Sequence, residues 1–154
     1  MKRIVIILLM VLASLCTAEA QRHKRSQKQN SEIEFLGQVR DTYSQISRRT
    51  IDGKQYYVYT SQSSEEYNEP FKLIFPTAKE AIKSLAHLKI FAEQKPNNTT
   101  ITFANDGKMI TATKGKFIGG PYVEFTHPEM KGTASMSVKE LDKAITILSK
   151  YIEE

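Results

Sequence analysis

The stretch "NTTITFANDGKMITATKGK", residues 98–116, places an Asp-Gly pair between two runs of alternating residues. A two-residue loop at Asp106-Gly107 suits a type I′ turn, because aspartate and glycine tolerate the positive φ angles of that turn. The loop fixes the register of the hairpin and predicts these cross-strand pairs: Phe103 with Ile110, Ile101 with Ala112, Thr102 with Thr111, and Thr100 with Thr113. One face of the ribbon is then apolar, and the other is a threonine face that we expect to be exposed.

A second Asp-Gly hairpin is predicted in "YSQISRRTIDGKQYYVYT", residues 43–60. A loop at Asp52-Gly53 gives these pairs: Arg49 with Tyr56, Arg48 with Tyr57, Ser47 with Val58, and Ile46 with Tyr59. Neither face of this ribbon is cleanly apolar. We therefore expect it to lie at a sheet edge or to project from the sheet.

Two helices have clear start signals. Thr77 and Glu80 form one potential capping box, and Ser137 and Glu140 form another. Apolar residues recur at helical spacing after each box. The sequence predicts helices over 77–94 and 137–152.

Shorter apolar runs predict strands over 71–75, 121–127 and 132–137, while 33–39 is either a strand or an ordered lead-in. No internal repeat is visible. Strands joined by tight turns pair mainly antiparallel. We therefore predict an α+β domain with a single, mainly antiparallel sheet of about five or six strands and both helices packed on one face.

The N-terminus resembles a secretory signal peptide. Lys2 and Arg3 precede the apolar run 4–15, which is too short to span a bilayer. Ala18 and Ala20 place small residues at −3 and −1, which predicts cleavage before Gln21. An uncleaved anchor is the alternative. The expected location is secreted or periplasmic, with residues 1–20 removed.

The single cysteine, Cys16, lies just after the apolar run. Lipoprotein processing favours a small residue before the acylated cysteine, whereas Leu15 stands there, so we do not expect an anchor at Cys16. Cleavage before Gln21 would leave a mature chain without cysteine. Disulfides would then be impossible, even in an oxidising compartment.

The net charge of +5 is unevenly distributed. Residues 21–30 contain four basic residues and no acid, while 31–154 contains sixteen basic and sixteen acidic residues. We predict that 21–30 is a disordered tail, with at most weak electrostatic contact with anionic surfaces, and that 31–154 is one domain. A neutral domain argues against nucleic acid as a partner, because such partners select a basic face.

No catalytic constellation is recognisable. The three histidines are His23 in the tail, His87 on the polar side of the first helix, and His127 near two glutamates. A zinc site needs at least three protein donors, and the serines show no Gly-x-Ser-x-Gly elbow. We therefore expect no enzyme activity and assign no catalytic, cofactor-binding or metal-binding residue.

The functional prediction is a small exported binding module that recognises a protein or a glycan. The predicted interaction surface is either the exposed sheet face or the tyrosine-rich hairpin, because aromatic and arginine side chains suit interfaces. The hairpin residues are Arg48, Arg49, Tyr56, Tyr57 and Tyr59. The alternatives are a hydrolase that uses His127 with a carboxylate, and an inhibitor of a secreted enzyme.

Overall fold

The computed structural model describes residues 32–41, 44–62 and 69–152. The predictions for the leader, for its cleavage site at Ala18, Ala20 and Gln21, for Cys16 and for the tail 21–30 lie outside these residues, and so does His23.

The described chain contains the same series of elements twice, four strands followed by one helix. The first series is β1 (Glu32–Arg40), β2 (Ser44–Ile51), β3 (Lys54–Ser61), β4 (Phe71–Phe75) and α1 (Ala78–Gln94). The second is β5 (Thr100–Asn105), β6 (Lys108–Phe117), β7 (Gly120–Thr126), β8 (Ala134–Ser137) and α2 (Val138–Leu148). The α+β class and the two helices are confirmed. The structural repeat was not visible in the sequence.

The strands form two antiparallel sheets, so the prediction of a single sheet is wrong. Sheet A has the order β1-β2-β3-β4, and sheet B has the order β5-β6-β7-β8. Between β4 and β5 the Asn105 side chain takes the place of a neighbouring strand. Its amide oxygen accepts from the Ile74 N–H at 2.8 Å, and its amide nitrogen donates to the Ile74 carbonyl at 2.8 Å. At this point the two sheets are therefore joined by a side-chain bridge and not by backbone hydrogen bonds between strands.

Both predicted hairpin registers are confirmed, including all eight pairs named from the sequence. The turn residues have positive φ angles, 51° and 74° at Asp52 and Gly53, and 49° and 73° at Asp106 and Gly107. The predicted position of the first hairpin is wrong, because β2 and β3 are the two central strands of sheet A. The segment 33–39, for which the sequence allowed a strand or a lead-in, is part of strand β1 and pairs with β2.

The helices begin where the capping signals predict. The Thr77 hydroxyl accepts from the Glu80 N–H at 3.1 Å, and at α2 both bonds of the Ser137–Glu140 capping box are formed. The second helix is shorter than predicted, because the α-helix ends at Leu148 and a 3₁₀ turn follows over Ser149–Tyr151.

The two helices do not share one face of one sheet, as predicted. α1 contacts β4 of sheet A but also β6 and β7 of sheet B, while α2 contacts β1 and β2 as well as β7 and β8. One apolar core results, in which Phe71 of sheet A stacks on Phe125 of sheet B with ring centroids 5.1 Å apart. Both helices thus bury apolar residues against both sheets, which offsets the chain entropy lost by ordering the two halves together.

Candidate functional site

The outer face of sheet A points away from the shared core. The register places these side chains on it: Ile33, Phe35 and Gln38 of β1; Gln45, Ser47, Arg49 and Ile51 of β2; Lys54, Tyr56, Val58 and Thr60 of β3; and Lys72 and Ile74 of β4. Among the described residues of this face, three are basic and none is acidic. The face therefore favours acidic groups on whatever binds there.

Large apolar side chains lie exposed at one side of this face. Ile33 and Phe35, two residues apart on β1, are 56% and 58% exposed. The register brings Ile33 opposite Arg49, which is in turn opposite Tyr56. Ser47 and Val58, at the centre of the face, are buried. We call the group Ile33, Phe35, Arg49 and Tyr56 the sheet A patch.

Two of the predicted surface tyrosines are core residues instead. Tyr57 is 5% exposed and Tyr59 is fully buried, since both lie on the inner face of sheet A. An interaction surface therefore cannot present their rings. The predicted set divides by strand periodicity, with Arg49 and Tyr56 on the outer face and the other three on the inner face.

Arg48 lies at the margin of the inner face. Its guanidinium forms an ion pair with Glu34, with a nitrogen–oxygen distance of 2.7 Å, and lies 5.7 Å from the centre of the Tyr151 ring. The Tyr151 ring in turn lies 6.4 Å from that of Tyr57. Arg48 thus joins β1 and β2 to the turn after α2, which is a structural role.

The outer face of sheet B is the predicted threonine face. Thr100 and Thr102 are exposed, while Thr111, Thr113 and Thr126 are half-buried. Gly115 lies beneath the Tyr122 ring, because a Cβ added at Gly115 would lie within 2.2 Å of that ring. This face is polar and, apart from Met109, lacks exposed large apolar groups among the residues described.

His127 lines a cavity of about 360 Å³ between β4, the β5–β6 turn and the chain after β7. Its Nδ1 atom is buried and has no hydrogen-bond partner among the described residues. The nearby Glu129 carboxylate forms an ion pair with Lys108 at 2.9 Å. The Lys108 ammonium lowers the pKa of Glu129, and Glu129 raises the pKa of Lys108.

His127 and Glu129 do line the same cavity, but the carboxylate is already engaged. A general acid near neutral pH needs a raised pKa, and a carboxylate whose pKa is lowered is also a weaker base. In the parts of the chain that the structure covers, no three His, Cys, Asp or Glu side chains are grouped so that they could hold a metal ion. The carboxylate nearest in sequence to His127 is therefore not poised as its acid–base partner, while Glu69 and Asp106 line the same cavity.

The comparisons with known proteins leave the chain without an assigned family. No family model matches the chain, and no curated protein matches it. One solved structure, of MRP1/MRP2 from Trypanosoma brucei, aligns over 89% of this chain and 92% of that chain, at 15% identity and a TM-score of 0.32. A similarity this weak carries no functional argument. None of the described helices is long and apolar enough to cross a membrane.

Sequence reasoning missed the apolar part of the sheet A patch. A signal was present in "EIEF", residues 32–35, where acidic and large apolar residues alternate in the way of a strand with two different faces. The pattern by itself is compatible with either a strand or an ordered lead-in over 33–39. Without β1, the apolar residues had no place beside Arg49 and Tyr56.

Proposed function

We propose that this protein is an exported binding module whose sheet A patch binds another protein. One observation carries the proposal: Ile33 and Phe35 are both more than half exposed, on the same face, beside Arg49 and Tyr56. Aromatic and arginine side chains are enriched among the residues that dominate binding energy at protein interfaces. Large apolar groups gathered on one face mark interaction sites more often than scattered ones do.

The basic residues of the same face support a partner with acidic groups. Arg49, Lys54 and Lys72 lie on the outer face of sheet A without a compensating acid there. Charges of one sign around an apolar centre steer association and select against partners of like charge. The proposed partner surface is therefore apolar at its centre and acidic at its rim.

Export supports the proposal from the sequence side. The apolar run 4–15 and the small residues Ala18 and Ala20 fit a removable leader. A hydrolase based on His127 is less well supported, because Lys108 already engages the carboxylate nearest in sequence to it. An inhibitor of a secreted enzyme remains a special case of protein binding.

Capture of partners from the source medium with the mature protein tests the proposal. We expect one protein partner to be retained, and Phe35→Ala to weaken its binding about tenfold or more, as truncation of an interface anchor does. Met109→Ala is the matched control, because Met109 is 54% exposed on the outer face of sheet B. Equal affinities for the two variants would contradict the role of the patch. Retention on a polysaccharide alone would contradict the class of partner.

A further inference from the structure

The two sheets have four edge strands, and three of them are protected against pairing with another chain. β1 has two register irregularities, and β8 has only four residues. β4 is flanked by Pro70 and Pro76, which lack a backbone N–H, and Asn105 occupies its Ile74 position. Bulges, short length and proline are the usual means of blocking an edge.

The edge of β5 has none of these protections between Thr100 and Asn105, although a bulge precedes it, where Asn98 and Thr99 both bond to Lys114. Its sequence, "TITFAN" (residues 100–105), contains no proline and no charge, and it pairs with β6 through six successive residues without a bulge. An edge strand of this kind is a template for a further strand.

The backbone groups of β5 that point to the open edge can be identified. Lys114 of β6 exchanges backbone bonds with the chain just before β5, donating to Thr99 and accepting from Asn98. Because alternate residues of an antiparallel pair face the partner strand, Ala112 and Ile110 also turn their backbone groups toward β5. The N–H and C=O groups of Thr100, Thr102 and Ala104 therefore point away from β6, and the structure shows no partner for them among the residues it describes.

A groove of about 880 Å³ lies along this edge, lined by β5, by α1 and by the end of β4. Its apolar lining includes Leu88 and Ile90 of α1, and Ile101 and Phe103 of β5. Ile90 is 51% exposed. The Asn105–Ile74 bridge joins β4 to the last residue of β5, so the groove is closed at that end.

We propose that this groove is a second binding site, separate from the sheet A patch, for an extended segment of a partner polypeptide that adds to β5 as a fifth strand of sheet B. Main-chain bonds to Thr100, Thr102 and Ala104 supply the affinity, and the apolar lining selects for apolar residues at alternate positions. Glu80, Lys83 and Asp106 also line the groove, so the segment needs to be uncharged only where it meets the apolar lining, because a buried charge without a partner is costly.

The presence of α1 in the lining of the groove favours a single strand over a second copy of this chain. In a β5–β5 dimer the incoming strand would bring its own β6, about 4.8 Å further from the edge. Residues of α1 from Glu80 to Ile90 already line this groove and limit the space for a second strand. A lone extended segment fills the same space without this second strand.

The test uses the mature protein and a panel of capped, uncharged peptides of about seven residues, in which threonine alternates with Val, Ile, Leu or Phe. Fluorescence anisotropy measures binding, and hydrogen exchange measures the amides of Thr102 and Ala104. We expect at least one peptide to bind and to slow exchange at both amides about tenfold or more. The same peptide with a central proline, which cannot donate a hydrogen bond there, should bind about tenfold more weakly.

Two pairs of variants locate the site. Ile90→Glu should weaken peptide binding about tenfold or more, whereas Ile152→Glu, at an equally exposed position outside the groove, should not. Thr102→Pro removes one outward N–H without touching the ladder to β6, and Thr102→Val keeps it. Only the proline variant should lose binding, and its thermal unfolding shows whether it remains folded.

Three results would overturn the proposal. The first is that no peptide of the panel binds even at about 1 mM, because a dissociation constant above this value is too weak for specific recognition. The second is binding that leaves the Thr102 and Ala104 amides unprotected, or that survives Ile90→Glu. The third is protection of those amides in a dimer without peptide, measured by sedimentation, which would make a second copy the occupant.

Discussion

The two sheets repeat one plan but differ on both of their faces. Each has four antiparallel strands in sequential order, one Asp-Gly turn of the same conformation, and a following helix. On its inner face sheet A buries three residues that carry a hydroxyl group, Ser44, Tyr59 and Ser61. The buried residues of sheet B are mainly apolar. On their outer faces the contrast reverses, since sheet A exposes large apolar groups and sheet B exposes threonines.

The comparison shows that identical local structure can serve different positions in a fold. The first Asp-Gly turn joins the central strands β2 and β3, whereas the second joins the edge strand β5 to β6. The turn sets the register of one pair only, and the remaining neighbours come from other parts of the chain. The two proposed sites differ accordingly, since one is the face of sheet A and the other is the edge of sheet B.

The largest expected effect on the free energy of unfolding tests whether the two sheet-helix halves of the chain fold as one unit. Phe125→Ala removes a fully buried ring of sheet B that stacks on Phe71 of sheet A. We expect it to lower the free energy of unfolding by about 3–5 kcal/mol, as truncation of a buried phenylalanine does. Because both sheets share one core, denaturant unfolding should stay a single transition when followed by hydrogen exchange in both halves.

Met109→Ala, which truncates an exposed side chain of the same sheet, is the control and should change the free energy of unfolding by no more than about 0.5 kcal/mol. If Phe125→Ala left the exchange of β2 and β3 amides unchanged while that of β6 and β7 rose, the two halves would be independent units. The shared core would then be refuted.

The next effect concerns the buried hydroxyls of sheet A. Burial raises the pKa of Tyr59 to about 12, and the nearby Ser61 and Ser44 hydroxyls only partly oppose this. Neither the Tyr59 nor the Ser44 hydroxyl has a hydrogen bond of good geometry among the residues described. The proximity of the serines therefore lowers the pKa of Tyr59 less than burial raises it.

A raised folded-state pKa means that the unfolded chain loses the Tyr59 proton first. The contribution of Tyr59 to the free energy of unfolding is fully present below pH 10. It is lost as the pH rises from 10 to 12, and the free energy of unfolding then falls by about 3 kcal/mol in all. Tyr59→Phe should remove this part of the alkaline loss, and at pH 7 it should be nearly neutral because no hydrogen bond is broken. Denaturant titrations of both proteins between pH 7 and 12 measure the difference; parallel curves would contradict the shift.

The smallest effect tests the equivalence of the two turns. Gly53 and Gly107 have φ angles of 74° and 73°, and a Cβ added at either would meet nothing within 4 Å. Alanine at either position therefore costs only backbone strain, about 1–2 kcal/mol. We expect Gly53→Ala and Gly107→Ala to lower the free energy of unfolding equally, although one turn is central and the other lies at an edge. A much larger loss at Gly53 would show that the turn is coupled to its sheet.

Local features of the fold were predictable because short-range chemistry decides them. The Asp-Gly pairs fixed both hairpin registers, and Thr77 and Ser137 marked both helix starts. The candidate site was only partly predictable. Arg49 and Tyr56 were identified, but Tyr57 and Tyr59 belong to the core, because β1 and β4 enclose the hairpin from both sides and the helices cover its inner face.

The sequence by itself determined both Asp-Gly hairpins and the starts of both helices, together with the even charge of the domain. The tertiary structure alone decided that the strands form two sheets, which tyrosines are buried, and which edge is open. The physical reason is the range of the interactions. A turn or a cap depends on residues within about four positions. The Asn105–Ile74 bridge joins residues 31 positions apart, and the Phe71–Phe125 contact joins residues still further apart.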